Sequence, residues 1–243
     1  MRRRHVMTGL GLLCLPRLAS ANLPLITGRN VEISPIMLNL GGPGSTATCT
    51  VFNNGTAPTT SQIRLRRWTQ VDGQDVLTDT NDVVASPPIM TIAPGAKQIV
   101  RVANLTAATG ASELAYRMLL NELPEAGSLT NNGITVLVAF NLPVFIAGAD
   151  AQPPQLTATF IQGVDGKPIL RLHNDGDVHA RLADISYTTK AGLIFKLPGL
   201  VGYVLPHSMR DIDLPNQQHL PSSGGVLTGQ TQLQSSAMPI PLL

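Results

Sequence analysis

The sequence predicts an all-β protein made of two sandwich domains. Short runs rich in β-branched and apolar residues are separated by turn signals roughly every ten residues, and helical periodicity is nearly absent. A segment of small residues with a proline pair, residues 148–155, resembles a linker between domains. The chain has 243 residues, of which 43% are apolar, so it is long enough for two cores and too apolar for intrinsic disorder.

The first residues are typical of a secretory signal peptide. Arg2, Arg3 and Arg4 precede a short apolar run over 6–16, and Ala19-Ser20-Ala21 forms a small-x-small cleavage site. The apolar run is too short to span a bilayer, which leaves a buried helix as the alternative. We therefore expect residues 1–21 to be removed on export, and no later segment is apolar enough for insertion into a membrane.

Charge and cysteine content exclude several functional classes. The formal charge of +2 includes four arginines within residues 1–21, so the exported chain would carry 13 basic and 15 acidic residues, a net charge of −2. Such a balance argues against nucleic-acid binding. Cys49 would be the only thiol left, and its position in the β-rich run 47–52 favours a buried strand thiol over a nucleophile.

The expected first domain covers residues 22–147. Its strand candidates alternate in hydropathy or are β-rich, and turn signals such as Asn53-Asn54-Gly55, Asp72-Gly73 and Pro94-Gly95 separate several of them. A run over 112–120 can be mistaken for a helix but is short. The predicted strands are 46–52, 62–71, 89–92, 98–104, 115–122 and 133–145.

The expected second domain covers residues 156–243, after the linker 148–155. Turn signals at Asp165-Gly166 and Asn174-Asp175-Gly176 separate its first strands. The predicted strands are 156–162, 168–173, 180–188 and 202–205. The tail 235–243 contains two prolines and is expected to be loosely held.

Signals of an enzyme active site are missing. The sequence has no nucleophile elbow, phosphate-binding loop, zinc-protease motif or dinucleotide fingerprint. His173 and His179 flank the turn at 174–176, and a metal site there would need Asp175 or Asp177 as well; exposed turn histidines are the favoured interpretation. Asp211 and Asp213 share a strand face without an evident partner. We therefore expect no catalysis, no metal and no cofactor.

The longest predicted strand, 133–145, is the most unusual feature. Ile134, Val136, Val138 and Phe140 fall on one face of an extended strand, whereas the other face, with Leu137 and Asn141 among its residues, is mixed. Such a strand is either buried on both sides within its own sandwich or buries one face and offers the other to a partner. The alternation alone does not decide between these two interpretations.

The blocks along the first domain resemble the PapD-like family of periplasmic chaperones that serve chaperone–usher pilus assembly. The likeness is nearest to the archaic branch, which serves spore-coat-U-type pilins. The order and spacing of the blocks over about 115 residues are specific, while the second domain matches more loosely, at 172–176 and 202–206. The first-domain blocks are Ile33-Ser34-Pro35, 51–55, 67–70 with 72–73, Ser86-Pro87-Pro88, Ile92, 94–95, Gln98, 100–102, Glu113, 116–117, Leu120, 122–124 and 142–145.

This resemblance implies two immunoglobulin-like sandwiches at an angle, with a cleft between them, in the periplasm of a Gram-negative cell. It also implies donor-strand complementation, in which the chaperone lends its last first-domain strand to a pilin subunit that lacks one. Ile134, Val136, Val138 and Phe140 would then insert into the pilin. The implied partners are pilin subunits and an outer-membrane usher. The sequence leaves open whether the free protein self-associates to shield this strand.

The sequence departs from the family at the pilin anchor. Many members bind the C-terminal carboxylate of the pilin with two basic residues, which map here to Met37 and Pro143. Arg101 is the first candidate substitute and Arg117 the second, since a guanidinium binds a carboxylate with two hydrogen bonds. Each arginine can equally belong to a structural ion pair with Glu113 or Glu122. A basic residue that closes the domain interface in many relatives is replaced by Ala147.

Two other functions fit the sequence less well. A secreted two-domain structural or adhesive surface protein would have the same fold, but a pilin is usually one smaller domain, often with a disulfide. A secreted hydrolase would need a scattered active site. The leading prediction is therefore a pilus-assembly chaperone.

Overall fold

The computed structural model describes residues 30–106, 110–124, 137–214, 224–232 and 234–243, and every regular element in these ranges is a β-strand. The predicted signal peptide, residues 1–21, lies outside the described residues. The strands are β1 Val31–Ser34, β2 Leu38–Leu40, β3 Thr46–Asn53, β4 Thr59–Val71, β5 Gln74–Asp79, β6 Val83–Ser86, β7 Ile89–Ile92, β8 Lys97–Asn104, β9 Leu114–Glu122, β10 Ala139–Ile146, β11 Leu156–Gln162, β12 Pro168–Asn174, β13 Ala180–Thr188, β14 Ile194–Val204, β15 Ser208–Asp213, β16 Val226–Thr231 and β17 Gln234–Ile240.

The strands form four sheets. The first ten strands make one sheet in the order β1-β3-β8-β6 and another in the order β2-β10-β9-β4-β5, with β7 paired to β4. The last seven strands make sheets in the orders β11-β12-β15 and β14-β13-β16-β17. Each sheet of the described chain takes its strands from one side of residue 150 only, so the prediction of two sandwiches is confirmed.

Each sandwich has its own hydrophobic core, formed by alternate residues of its strands. In β12, for example, Leu170 and Leu172 are buried while Ile169 and Arg171 beside them are only half-buried. The first core includes Val51, Val100, Tyr116, Met118 and Val144, all fully buried. The second core includes Leu170, Leu172, Leu182 and Val204. This alternation is the pattern from which the strands were predicted.

Two buried asparagines hold corresponding turns in the two sandwiches. The Asn53 amide donates to the carbonyls of Ala57 and Ile92, while its side-chain oxygen accepts the Gly55 N–H. The Asn174 amide likewise donates to carbonyls on two segments, and its oxygen accepts the N–H of Gly176. Because each amide satisfies main-chain groups on several segments, full burial of both side chains is tolerated.

Residues 148–155, the predicted linker, form main-chain hydrogen bonds with both sandwiches. The Ala149 N–H donates to the Gly110 carbonyl of the first sandwich at 3.2 Å. On the other side, the Gln152 carbonyl accepts from the Asp177 N–H at 3.0 Å and the Gln155 carbonyl accepts from the Asp175 N–H at 2.9 Å. The connection is therefore hydrogen-bonded to both halves of the chain.

The prediction of a loosely held tail is wrong. Residues 234–240 form β17, which pairs with β16 and brings Ile240 into the second core. The Leu243 N–H then donates to the Ala158 carbonyl at 2.9 Å, so the last residues also bind β11. Pro239 is tolerated because β17 lies at the edge of its sheet, where one side of the strand needs no N–H donors.

Candidate functional site: the open edge of strand β10

Strand β10 is paired unequally on its two edges. Along one edge it pairs with β9 over its whole length, from Ala139↔Asn121 to Ile146↔Leu114. Along the other edge it pairs with β2 only from Val144 to Ile146. In the described part of the chain no strand covers residues 139–143 on that side. A row of main-chain groups is therefore open to a further strand.

Apolar side chains of the first core continue along β10 into the stretch with the open edge. Leu142 and Val144 are buried in the core, and Phe140, on the same face, is half-buried and packs against it. Val138 follows in the same alternation and is also half-buried, whereas Leu137 on the opposite face is 41% exposed. The apolar row therefore extends past the end of the closed core.

Two of the four predicted donor residues are thus placed, Val138 and Phe140, and they share one face as expected. Phe140 also contacts the core of its own sandwich, so its insertion into a partner remains a prediction. Ile134 and Val136 lie outside the described residues.

The two candidate anchor arginines lie on different sheets. Arg101 is exposed on β8, where it pairs in register with Thr48 and Ser86, in the sheet that does not contain β10. Arg117 is half-buried on β9 and lies directly opposite Pro143 of β10. Of these two arginines, Arg117 is therefore the one next to the strand that the sequence singles out.

The Arg117 guanidinium packs on aromatic rings from both sandwiches. Its central carbon lies 3.6 Å from the centre of the Trp68 ring and 5.4 Å from that of the Tyr203 ring. Burial lowers the pKa of Arg117, and the charge of Asp75 acts in the opposite direction. Among the described residues no carboxylate forms an ion pair with this guanidinium. Asp75, the nearby carboxylate, pairs with Arg210 instead, and Glu113 pairs with His179.

The family description "Pili and flagellar-assembly chaperone, PapD N-terminal domain" matches residues 30–151, half of the chain. The chain belongs to this chaperone family. The matched segment contains β1 to β10 and therefore the whole of the open-edged strand. A search of curated proteins finds no match.

Solved structures share the fold over most of their length. A chain of the CsuC–CsuE chaperone–tip adhesion subunit complex, from archaic Csu pili of Acinetobacter baumannii, is 20% identical with a TM-score of 0.71, covering 88% of this chain and 99% of that one. The YadV chaperone is 14% identical with a TM-score of 0.63, covering 86% and 96%. A chain of the Salmonella enterica SafA pilin–SafB chaperone complex is 14% identical with a TM-score of 0.59, covering 87% and 95%.

The usual anchor positions of the chaperone family are occupied here by apolar residues. Pro143 is buried in β10, and Met37 packs against a small cluster formed by Trp68, Phe145 and Leu205. Arg117 lies close to these positions, on the strand beside Pro143. Arg117 thus provides a guanidinium one strand away from the position that Pro143 occupies, packed on aromatic rings.

The interface between the two sandwiches of this chaperone combines apolar and polar contacts. The Gln70 side chain donates to the Tyr203 carbonyl at 2.8 Å and accepts from the Leu205 N–H at 2.9 Å. The His179 imidazole stacks on the Phe145 ring, with centroids 3.7 Å apart. Arg210 forms an ion pair with Asp75 at 3.0 Å. At Ala147, the predicted site of the lost basic residue, the main chain donates to the Leu40 carbonyl.

The two histidines considered for a metal site bind different carboxylates. His173 lies 3.1 Å from Asp175, whereas His179 is buried at the interface with its Nδ1 atom 2.7 Å from Glu113. Asp211 forms a bidentate ion pair with Arg171, with N–O distances of 2.7 and 2.8 Å. Within the described ranges, no group of three or more potential ligands is placed to hold a metal ion.

No helix in these same ranges is long and apolar enough to cross a membrane.

Sequence reasoning missed the aromatic support of Arg117. Trp68 and Tyr203 both lie in blocks that resemble the family, but nothing in the sequence assigns them to one cation, since they belong to different sandwiches. The strand register would find Trp68, because Arg66 of β4 lies opposite Arg117 of β9 and Trp68 is the next residue of β4 on that face. Tyr203 reaches Arg117 only through the packing of the second sandwich.

Proposed function

We propose that this chaperone binds a pilin subunit by adding β10, together with the residues just before it, to the unfinished sheet of the subunit. The observation that carries the proposal is the open edge at 139–143, flanked by an apolar row that runs beyond the chaperone's own core. Main-chain hydrogen bonds along the edge would set the register, and the apolar row would fill the groove of the subunit.

The apolar row offers a partner a large gross binding energy. Full burial of one large apolar side chain contributes about 1.5–3 kcal/mol, so four contribute roughly 6–12 kcal/mol before ordering and association costs. Val138 and Phe140 are already half-buried in the free chaperone, so they gain less than fully exposed residues would. Ile134 and Val136 would then supply most of the transfer energy.

Subunit binding would take place in the periplasm of a Gram-negative cell, to which the predicted signal peptide 1–21 would direct the chaperone. The solved complexes of CsuC with a tip adhesion subunit and of SafB with a pilin support a pilin subunit as the partner. The archaic origin of the Csu complex favours spore-coat-U-type pilins, with delivery to an outer-membrane usher as the following step. The role is binding alone, with no catalysis and no cofactor.

Arg117 is the proposed anchor for the C-terminal carboxylate of the pilin. It lies opposite Pro143 on the strand beside β10, and its guanidinium has no ion-pair partner within the described residues. Arg101, the first candidate from the sequence, is exposed on the other sheet of the sandwich. A carboxylate bound at Arg117 would lie on the β9 side of Pro143, level with the inner end of the open stretch 139–143.

Co-expression with a pilin from the same gene neighbourhood tests the proposed function. The chaperone should co-purify with the subunit as a soluble one-to-one complex, and the double variant V136D/V138D should lose it, because two charges cannot enter an apolar groove without a partner. V164D is the matched control, since Val164 is fully exposed in the second sandwich. A complex that survives V136D/V138D would show that this strand is not donated.

A further inference from the structure

Glu122, the last residue of β9, binds the residue that precedes β10. Its Oε2 atom accepts the Val138 N–H at 3.0 Å, while its own N–H donates to the Val138 carbonyl at 2.9 Å. Glu122 is 5% exposed. One residue therefore holds both main-chain polar groups of Val138, one through its backbone and the other through its side chain.

This arrangement differs from a regular antiparallel pair. Residues that face each other in such a pair exchange two main-chain hydrogen bonds, from each N–H to the opposite carbonyl. Here a carboxylate oxygen takes the Val138 N–H, immediately before the first regular pair, Ala139↔Asn121. The side-chain oxygen therefore takes the place of the opposite carbonyl as the acceptor for Val138, where the chain enters β10.

The position of this contact determines on which face of the strand the side chains of Val138 and Phe140 lie. Because side chains alternate along a strand, a slip of one residue would move Val138 and Phe140 to the opposite face. Within the described chain, residues 139–143 have no second neighbouring strand to resist such a slip. The register at the open end therefore depends on β9 and on the contact between Glu122 and Val138.

We propose that Glu122 is a positioning residue for the donated strand. Its carboxylate fixes the register in which the chain passes from Val138 into β10, so that Val138 and the even-numbered apolar residues before it point toward the subunit. The inference rests on the proposed function only in its consequence for pilin binding. The register itself is a property of the free chaperone.

Two variants of similar length separate the hydrogen bond from simple packing. E122Q keeps a side-chain oxygen that can accept the Val138 N–H, whereas E122M fills the same space without an acceptor. In E122M the Val138 amide proton should exchange roughly tenfold faster, because it loses its acceptor, and in E122Q only slightly faster. The amide of Tyr116, in the middle of β9, should exchange at the same rate in all three proteins.

Cross-strand cysteines report the register directly. Asn121 and Ala139 face each other next to the hydrogen-bonded pair, so their Cα atoms fall in the closely spaced class, which suits a disulfide. The pair N121C/A139C should cross-link efficiently both in the otherwise wild-type chain and in the E122Q background. In the E122M background this yield should fall, and that of N121C/V138C, which reports a slip of one residue, should rise.

Pilin capture then connects register with function. E122M should bind pilin at least several-fold more weakly than the wild type, and E122Q should recover most of the binding, while all three unfold at similar temperatures. The inference is overturned if E122M matches the wild type in Val138 exchange, cross-linking and capture. A wild-type chaperone that captures no pilin, together with a register shift in E122M, would instead refute the proposed function and leave the positioning role intact.

Discussion

The central carbon of the Arg117 guanidinium lies over the Trp68 ring, 3.6 Å from the ring centre, one strand away from Pro143. An aromatic ring stabilises a guanidinium that lies over its face, and the N–H groups around the edge of the guanidinium can still donate hydrogen bonds. Burial lowers the pKa of this group, because removal from water disfavours the charge. A carboxylate that accepts hydrogen bonds from these N–H groups would therefore replace the water that the half-buried guanidinium has lost.

The first prediction concerns capture of the pilin terminus. R117A should weaken binding of a pilin with a free C-terminus by roughly 1.5–3 kcal/mol, the range for hydrogen bonds to charged groups. Binding of the same pilin with extra C-terminal residues should change little, because its carboxylate is displaced. Titration calorimetry of both forms measures the difference.

R101A is the matched control for this prediction, since Arg101 is exposed on the sheet that lacks β10. It should bind both pilin forms as the wild type does. R117K, which keeps the charge but not the planar fork, should recover only part of the binding. Equal losses of both pilin forms in R117A would mean that the arginine has only a structural role.

The second prediction concerns the fastened linker. A Cβ atom on Gly176 would overlap the Pro153 carbonyl and lie 2.7 Å from the Pro154 Cα, and both of these are backbone atoms that cannot rotate away. G176A should therefore lower the free energy of unfolding by roughly 1–3 kcal/mol, a typical cost of overpacking. Denaturant unfolding followed by tryptophan fluorescence, from Trp68 at the interface, measures the loss.

G42A is its control, because nothing lies within 4 Å of a Cβ at Gly42. That variant should be as stable as the wild type or slightly more stable. If G176A were equally harmless, the linker would be free to move away from the second sandwich, in conflict with the hydrogen bonds at Gln152 and Gln155.

The strands were predictable where local pattern determines them. The limits of β7, β11 and β13 agree with prediction, because each is a β-rich run bounded by turn residues or prolines. Strand β14 was predicted only at its end, since Pro198, Gly199 and Gly202 interrupt its pattern. These residues are tolerated because β14 is an edge strand with shifts in register.

The site was predictable only in part, because local pattern determines some of its residues and the packing of distant segments determines the others. Alternation along one strand places Val138 and Phe140 on a common face. The position of Arg117 opposite Pro143 depends instead on how β9 and β10 are aligned, and the contact of His179 with Glu113 joins residues 66 positions apart. Such pairings come from the packing of the sandwiches, which local sequence does not encode.

The third prediction concerns pH. The pKa of Asp177 is lowered by the Gln152 N–H, by His207 and by the Ser112 hydroxyl, all of which bind its carboxylate. A lowered pKa means that this carboxylate stabilises the fold fully above the ordinary value of 3.8, and that the contribution disappears as the pH falls through the folded-state pKa. D177N should therefore be less stable than the wild type near neutral pH.

The difference in unfolding temperature between D177N and the wild type should then shrink as the pH is lowered from about 6 to below 3, because the wild-type carboxylate becomes protonated while the asparagine does not change. Thermal unfolding by circular dichroism across this range measures both proteins. A difference that stays constant at every pH would mean that the charge of Asp177 adds nothing to these hydrogen bonds.

The fourth prediction concerns Cys49, which is 1% exposed on β3 and has no cysteine partner among the described residues. Burial raises the pKa of its thiol to about 11. At pH 8 only about one thiol in a thousand is then ionised in the folded chaperone, and only the thiolate reacts with a disulfide reagent. Ellman's reagent should therefore label the folded protein no faster than the region around β3 opens, and labelling should be complete within minutes in denaturant.

Raising the pH from about 7 to about 9 at low denaturant should leave the folded-state rate limited by opening, while the rate for the unfolded chain rises with its thiolate fraction. Rapid labelling of the folded chaperone would show that β3 is exposed in solution and that the first core is less closed than its buried residues indicate.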